Sequence, residues 1–263
     1  MRPEVIQGDV KEVLKTLDDH SVQCVVTSPP YWGQRDYGSE GQLGLENTPE
    51  EFVNNLVEVF REVKRVLRDD GTVWLNLGDS YASGNYHPVL KHKDLVGIPW
   101  RVALALQSDG WYLRSDIIWN KPNPMPESVK DRPTKSHEHI FLLTKSDQYF
   151  YDHDSIREPV SEISLKRAEL GWDCDRPSTK NASMGGEGIH TEKMGTRFVN
   201  PKGRNKRDVW TITTKPYKDS HFATFPKELP EICIKAGTKK GDVVLDIFAG
   251  SGTTLRVASL LGR

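Results

Sequence analysis

The chain has 263 residues, of which 36% are hydrophobic and 28% charged, and its formal net charge is −1. That balance excludes an intrinsically disordered chain, and the length suits one α/β domain with room for an insertion. A net charge so close to zero gives no bulk argument for a nucleic-acid partner, so a basic surface would have to be local. The three cysteines, Cys24, Cys174 and Cys233, lie far apart and form no CxxC pair. This speaks against a disulfide framework or a metal site and fits a reducing cytoplasm. No apolar run approaches the roughly 20 residues that span a bilayer. The first residues lack a signal-peptide core, so a cytoplasmic, enzyme-sized domain with no membrane partner is the expectation.

In chain order, Glu4 to Gln7 reads as a short strand stopped by Gly8-Asp9, and Val10 to Leu17 as a short helix. Ser21 to Val26 is an apolar strand that halts at Thr27-Ser28-Pro29-Pro30, because successive prolines cannot donate to a ladder. Thr48-Pro49-Glu50-Glu51 is a capping box with proline at the first helical position. Phe52, Leu56, Val59, Phe60, Val63 and Leu67 follow at helical spacing, and Asp70-Gly71 should close that helix. Thr72 to Leu77 predicts a buried strand and Pro99 to Ser108 a helix. Trp111 to Trp119, His139 to Thr144 and Gln148 to Tyr151 predict three further strands. Trp74, Trp100 and Trp119 are assigned to the core.

From about 155 to 220 apolar periodicity fades, glycines cluster at 185, 186 and 188, and cations crowd Lys202, Arg204, Lys206 and Arg207. A long irregular segment inside a compact domain is usually functional or disordered. The α/β pattern then resumes with a helix opened by Phe225-Pro226-Lys227 and closed by Gly237. A core strand from Asp242 to Ile247 and a final helix follow. Strands alternating with helices predict an α/β fold, a mostly parallel sheet covered on both faces. The expected division is 1–154, an insertion over 155–220, and 221–263.

Two motifs carry chemistry. Asp246-Ile247-Phe248-Ala249-Gly250-Ser251-Gly252-Thr253 follows a strand and opens a helix, where glycines admit a ligand close to backbone and the helix offers free N–H groups. It lacks the GxxxxGK[ST] spacing of a phosphate-binding loop. Thr27-Ser28-Pro29-Pro30-Tyr31-Trp32 also follows a strand. Ser28 and the Pro29 carbonyl can accept hydrogen bonds from an amino group, Pro30 stiffens the loop, and Tyr31 and Trp32 offer faces for a base pulled out of a duplex. His137-Glu138-His139 lacks the HExxH spacing of a zinc site, so no metal is expected; Glu138 is read as an orienting residue.

TSPPYW early and FAGSGTT late, with an irregular segment between, resemble the amino-methylating DNA methyltransferases of permuted motif order, the β group. The resemblance extends over Gly8-Asp9, Asp116 to Pro122, Arg132-Pro133-Thr134 and His221 to Pro226. It implies a Rossmann-like, circularly permuted sheet that binds S-adenosylmethionine. By it, Asp246, Phe248, Ala249, Gly250, Ser251, Gly252 and Thr253 would hold the cofactor, with Asp9 near the adenine and Phe225, Pro226 and Lys227 over the methionine end. Ser28, Pro29, Pro30 and Tyr31 would hold the target base in double-stranded DNA, and 155–220 would carry target recognition. Trp32, Lys202, Arg204, Lys206 and Arg207 would touch DNA.

Serine at position 28 favours cytosine N4 over adenine N6, the alternative, because SPPY members are mostly of the former kind. A methyltransferase for RNA or protein, and a non-catalytic DNA-binding remnant, are the rival classes. The resemblance leaves open a cognate restriction endonuclease and a monomeric or homodimeric state. The sequence ends at Leu261-Gly262-Arg263, where such enzymes continue into a strand whose terminal acidic residue binds the cofactor ribose. That contact is expected from chain beyond Arg263 or from elsewhere.

Overall fold

The computed structural model describes residues 3–38, 41–82, 90–169, 200, 202–214 and 225–263. They fall into two compact units, one of Met1–Asp152 with Arg207–Arg263 and one of His153–Lys206. The larger unit is built on six strands: β1 (Val22–Thr27), β2 (Leu67–Leu77), β3 (Tyr112–Asn120), β4 (His137–Thr144), β5 (Val209–Thr211) and β6 (Val244–Leu245). Their order across the sheet is β5-β3-β4-β2-β1-β6. β1 pairs in parallel with β2 and β6, and β3 with β5, while β4 runs antiparallel to β2 and β3. The sheet is therefore mixed, with parallel pairing on both flanks of one reversed strand. The reversal matters for function. It brings the C-terminal ends of β1, β2, β3 and β6 and the N-terminal end of β4 to one edge, with Leu77 opposite His139 and Asn120 opposite His137.

Successive strand residues point to opposite faces, and both faces are apolar here. On one side Val25, Val73 and Leu75 pack with Phe52, Leu56, Phe60 and Val63 of α2 (Pro49–Val66). Burying each such side chain stabilises the fold by about 1.5–3 kcal/mol. α1 (Val10–Lys15) and α3 (Ile98–Ser108) flank α2. On the other side α5 (Glu228–Gly237) lies over Cys24, Thr72 and Trp74 and packs on α6 (Thr253–Leu260). The predicted start of α2 is present: the Thr48 hydroxyl accepts from Glu51 N at 3.1 Å, and the Glu51 carboxylate accepts from Asn47 N at 3.1 Å. Cys24 and Cys233 are buried thiols in no disulfide; Cys174 lies outside the described residues. Among the described residues, no helix is long and apolar enough to cross a membrane.

Several expectations need correction. Glu4 to Gln7 form no strand; Val5 and Ile6 are exposed and no described strand lies beside them. α2 ends at Val66, because Leu67 already turns extended to begin β2. Gln148 to Tyr151 also form no strand. Phe150 N donates to the Asp70 carbonyl and Asp152 N to the Ala236 carbonyl, single anchors rather than a ladder. Trp74 and Trp119 are core residues, but Trp100 is 42% exposed, standing edge-on to His139 and Phe141 at the margin of α3. The segment from 155 to 220 is not structureless. It carries α4 (Glu162–Glu169) in the smaller unit, and β5, which belongs to the main sheet. The glycines at 185, 186 and 188 and residues 221–224 lie outside the described residues.

In the smaller unit a 3-10 turn at Asp154–Ile156 leads to an antiparallel bridge between Glu158 and Arg204. Arg157 ties the two sides by donating to the Gly203 carbonyl and the Asn205 side chain at 3.0 and 2.9 Å.

At the seat of α5, a Cβ on Gly237 would lie 2.4 Å from Thr72 Oγ1 and 3.1 Å from Cys24 Sγ. Gly237→Ala should therefore lower unfolding stability by about 1–3 kcal/mol through overpacking, read from the denaturant midpoint at unchanged slope.

Candidate functional site

β1 and β6 are neighbours running the same way, so the loops that follow them emerge side by side. One carboxylate joins them. Asp246 Oδ1 accepts from the Thr27 hydroxyl at 2.8 Å and from Phe248 N at 3.1 Å, and Oδ2 accepts from the Thr254 hydroxyl at 2.7 Å. Thr27 ends β1, and Thr254 lies in the first turn of α6. Burial pushes the Asp246 carboxyl above its usual range, opposed by the Thr254 and Thr27 hydroxyls and the Phe248 amide. The resemblance gives this side chain to the cofactor; in the structure it sets the loop that follows β6.

That loop has the properties a close-fitting ligand needs. Gly250 and Gly252 are left-handed, with φ of +51° and +74°, and nothing lies within 4 Å of where a Gly252 Cβ would stand. L-residues with side chains rarely take that backbone. Gly252 caps α6 without a side-chain hydrogen bond, so the first N–H groups of α6 are not capped by a side chain. Ser251 Oγ and Thr253 Oγ1 are 3.2 Å apart at the same turn. Open glycine backbone, hydroxyls and an uncapped helix start at a parallel-sheet edge fit a polar cofactor such as S-adenosylmethionine.

On the β1 side Pro29 is buried, while Ser28, Pro30 and Tyr31 are half-buried. Tyr31 is held by contacts at its ring and at its hydroxyl. Its ring lies against Gly78, where a Cβ would come within 2.5 Å of Tyr31 Cε2, and its hydroxyl donates to Glu138 Oε2 at 2.8 Å. Ser28 Oγ donates to the Tyr31 oxygen at 3.3 Å. Asn76 Nδ2 donates to Glu138 Oε2 and to the His139 carbonyl, both at 3.1 Å, and Lys121 Nζ is ion-paired with Glu138 Oε1. Burial, reinforced by Glu138, holds the Tyr31 phenol well above its usual range, so it keeps its proton at neutral pH. Trp32 is packed on the core and its indole donates to the Glu46 carbonyl at 2.9 Å, which anchors the loop.

The sequence picked out Glu138 and Tyr31 but gave no role to Asn76 or Lys121. Asn76 sits as the lone amide in the apolar run of β2, a signal in retrospect, since a buried amide needs partners. Lys121 follows β3, and only the reversed β4 brings it to Glu138. Lys135 donates to the Asp79 carbonyl, and burial lowers its pKa. The Asp79 carboxylate holds Gly97 N and Ile98 N at the start of α3. His139 Nδ1 lies 2.9 Å from Asp116, and among the described residues no group of His, Cys, Asp and Glu could hold a metal. Asp9 spends its carboxylate capping α1 through Lys11 N and Glu12 N. Phe225, Pro226 and Lys227 lead into α5, with Pro226 buried and Lys227 exposed.

The basic cluster is not a bare positive patch. Lys202 pairs with Asp154 at 3.1 Å, and Arg204 and Lys206 pair with Glu158 at 3.1 and 3.5 Å. Arg207 falls in the larger unit, where its carbonyl accepts from the Trp210 indole.

A sheet of this order, with a glycine loop after one strand and an S-P-P-Y loop after its parallel neighbour, defines a methyltransferase domain. A family model described as DNA methylase, of the N6/N4 kind, matches residues 22–263. The type II methyltransferase M.SmaI of Serratia marcescens is 45% identical over 99% of this chain and 84% of its own length. M.XycI of Xanthomonas campestris pv. cyanopsidis is 50% identical over 95% and 77%. Among solved structures, the PvuII cytosine-N4-specific DNA methyltransferase shares the fold, with a TM-score of 0.67 at 21% identity over 97% of this chain and 77% of that one. TTHA0409 of Thermus thermophilus, solved with S-adenosyl-L-methionine, gives a TM-score of 0.60 at 26% identity over 97% and 83%. The chain belongs to this DNA methylase family. It is an S-adenosylmethionine-dependent DNA methyltransferase.

Asp246→Ala would leave two buried hydroxyls and an amide without their acceptor. The expected loss is about 2–4 kcal/mol of stability, together with weaker S-adenosylmethionine binding, checked by thermal unfolding and calorimetric titration. Unchanged cofactor affinity in a folded variant would contradict the loop-setting role.

Proposed function

We propose that this enzyme methylates cytosine N4, with the flipped base held at Ser28, the Pro29 carbonyl and Pro30, and with S-adenosylmethionine held along Asp246 to Thr253. The observation that carries this reading is the Asp246 bridge, which sets the strand end of TSPPYW beside FAGSGTT. S-adenosylmethionine would supply a methyl group on a sulfonium, the C–S bond breaking to leave the neutral thioether as the N–C bond forms, with one amino proton passing to solvent. The chain's part is to prepare the nitrogen. An exocyclic amine is a poor nucleophile because its lone pair is delocalised into the ring. Ser28 Oγ and the Pro29 carbonyl accept its two hydrogens, which favours a pyramidal nitrogen and stabilises the charge that develops there. A stiff Pro29-Pro30 backbone keeps both acceptors oriented, and orientation alone recovers roughly 7–11 kcal/mol of a bimolecular barrier.

No thiolate is required. Burial pushes the Cys24 thiol up to about 12, and Cys233 is buried, so neither described cysteine suits covalent attack on a ring carbon. Phe225, Pro226 and Lys227 lie before α5, whose partner α6 starts at the glycine loop, in keeping with a cover for the methionine end. Asp9 is assigned to holding α1, and Trp32 to anchoring its loop rather than stacking on a base. The unit His153–Lys206 is the proposed recognition segment. Lys202 and Arg204 are themselves exposed and surface ion pairs contribute little, so both cations can exchange a carboxylate for a phosphate. The type II methyltransferase relatives support a cognate restriction endonuclease and a cytoplasmic setting.

Expression in a host lacking DNA methylation, followed by nucleoside mass spectrometry of its genome, should yield N4-methylcytosine. N6-methyladenine would keep the site and overturn the choice of base. Ser28→Ala should lower methyl transfer by about 100-fold, the scale of one lost charge-stabilising contact, with cofactor affinity unchanged by calorimetry.

A further inference from the structure

The base site rests on Ser28 accepting a hydrogen bond, yet a hydroxyl can equally donate one. Which it does is decided deeper in the protein. Glu138 lies under the loop with three donors on its two oxygens: Lys121 on Oε1, and Asn76 Nδ2 and the Tyr31 hydroxyl on Oε2. A carboxylate ion-paired to lysine only accepts, so at 2.8 Å it takes the Tyr31 proton. Asn76 cannot reverse this order. Its Nδ2 is held by the His139 carbonyl, which leaves Oδ1 facing the Tyr31 oxygen at 3.4 Å as a further acceptor. The Tyr31 oxygen, its proton spent, can only accept, and the donor at 3.3 Å is Ser28 Oγ.

We propose that Glu138, held by Lys121 and Asn76, is a positioning residue that acts through Tyr31 to turn the Ser28 proton inward, leaving Ser28 as an obligate acceptor for a base amino group. This rests on the base-site reading above and deepens it, because it gives that site a chemical selectivity. An amino group finds lone pairs, whereas a ring carbonyl at the same place would meet lone pair against lone pair. The relay admits amino-bearing bases and rejects thymine or the guanine carbonyl edge. No proton leaves the relay, which orders polarity without acting as a base.

Glu138→Gln keeps the shape but reverses the polarity. With its oxygen claimed by Lys121, the amide N–H2 faces Tyr31, whose own proton is then free to turn toward Ser28. We expect kcat to fall about tenfold or more, the worth of one misdirected hydrogen bond in the transition state. The KM for S-adenosylmethionine should stay near the wild-type value, while the thermal midpoint should fall, because Lys121 is left largely buried without its anionic partner. Tyr31→Phe should lower kcat similarly, and adding Glu138→Gln to Tyr31→Phe should cost nothing further, because Glu138 acts only through the phenol. Turnover is read with labelled S-adenosylmethionine on unmethylated genomic DNA. Additive losses in the double variant, or wild-type kcat in Tyr31→Phe, would overturn the relay; the latter decides alone if Glu138→Gln does not fold. Ser28→Ala inactive beside fully active Glu138 and Tyr31 variants would remove the relay and keep the base site. A fully active Ser28→Ala would remove both.

Discussion

The functional edge depends on a half-buried carboxylate that takes three hydrogen bonds. Asp246 is drawn inward by Thr27, Thr254 and the Phe248 amide, and burial makes its charge costly enough that each donor matters. Those donors come from the end of β1, the start of α6 and the turn between β6 and α6. Through them, two loops 219 residues apart in the chain are held as one surface. An apolar residue at 246 could fill the space but could not decide where Thr27 and Thr254 sit.

A second constraint is the reversal of β4. Had every strand run parallel, the residues leading into β4 would lie at the far edge of the sheet. Because β4 is antiparallel to β2 and β3, Glu138 comes level with the ends of β2 and β3, where Asn76 and Lys121 wait. Antiparallel pairing thus puts a charged residue beneath the loop after β1 without breaking a core strand, since Ile140 to Leu143 behind it are buried. Gly78 completes the arrangement by leaving room for the Tyr31 ring. The outcome is a loop whose Tyr31 and Ser28 hydroxyls are ordered from beneath, by Glu138 and by Tyr31 in turn.

The charges elsewhere follow a milder rule. Lys202, Arg204 and Lys206 all have carboxylate partners, which explains how a near-neutral chain can keep a dense basic stretch without a standing positive field. Of these the Lys202 pair is exposed and cheap to break, while Arg204 and Lys206 share the less exposed Glu158. A polyanion competes well for the exposed pair, and salt should weaken that contact first.

Much was legible in the sequence because it was local. The capping box at Thr48 to Glu51, the period of α2, the halt of β1 at two prolines and the glycine turn before α6 are decided by residues within a few positions of one another. So were the two motifs and, from them, the family. What failed was decided by neighbours in space. Glu4 to Gln7 has strand-like residues but no described strand beside it, and Trp100 is apolar but sits at the margin of α3. For Asp246 and Tyr31 the sequence did not reveal that their polar atoms turn to Thr27, Thr254 and Glu138, partners separated by up to hundreds of residues. A motif names the residue types a reaction needs. Only the order and direction of the strands decides which of them face the reactants and which hold the others in place, because hydrogen bonds form across the sheet edge and not along the chain.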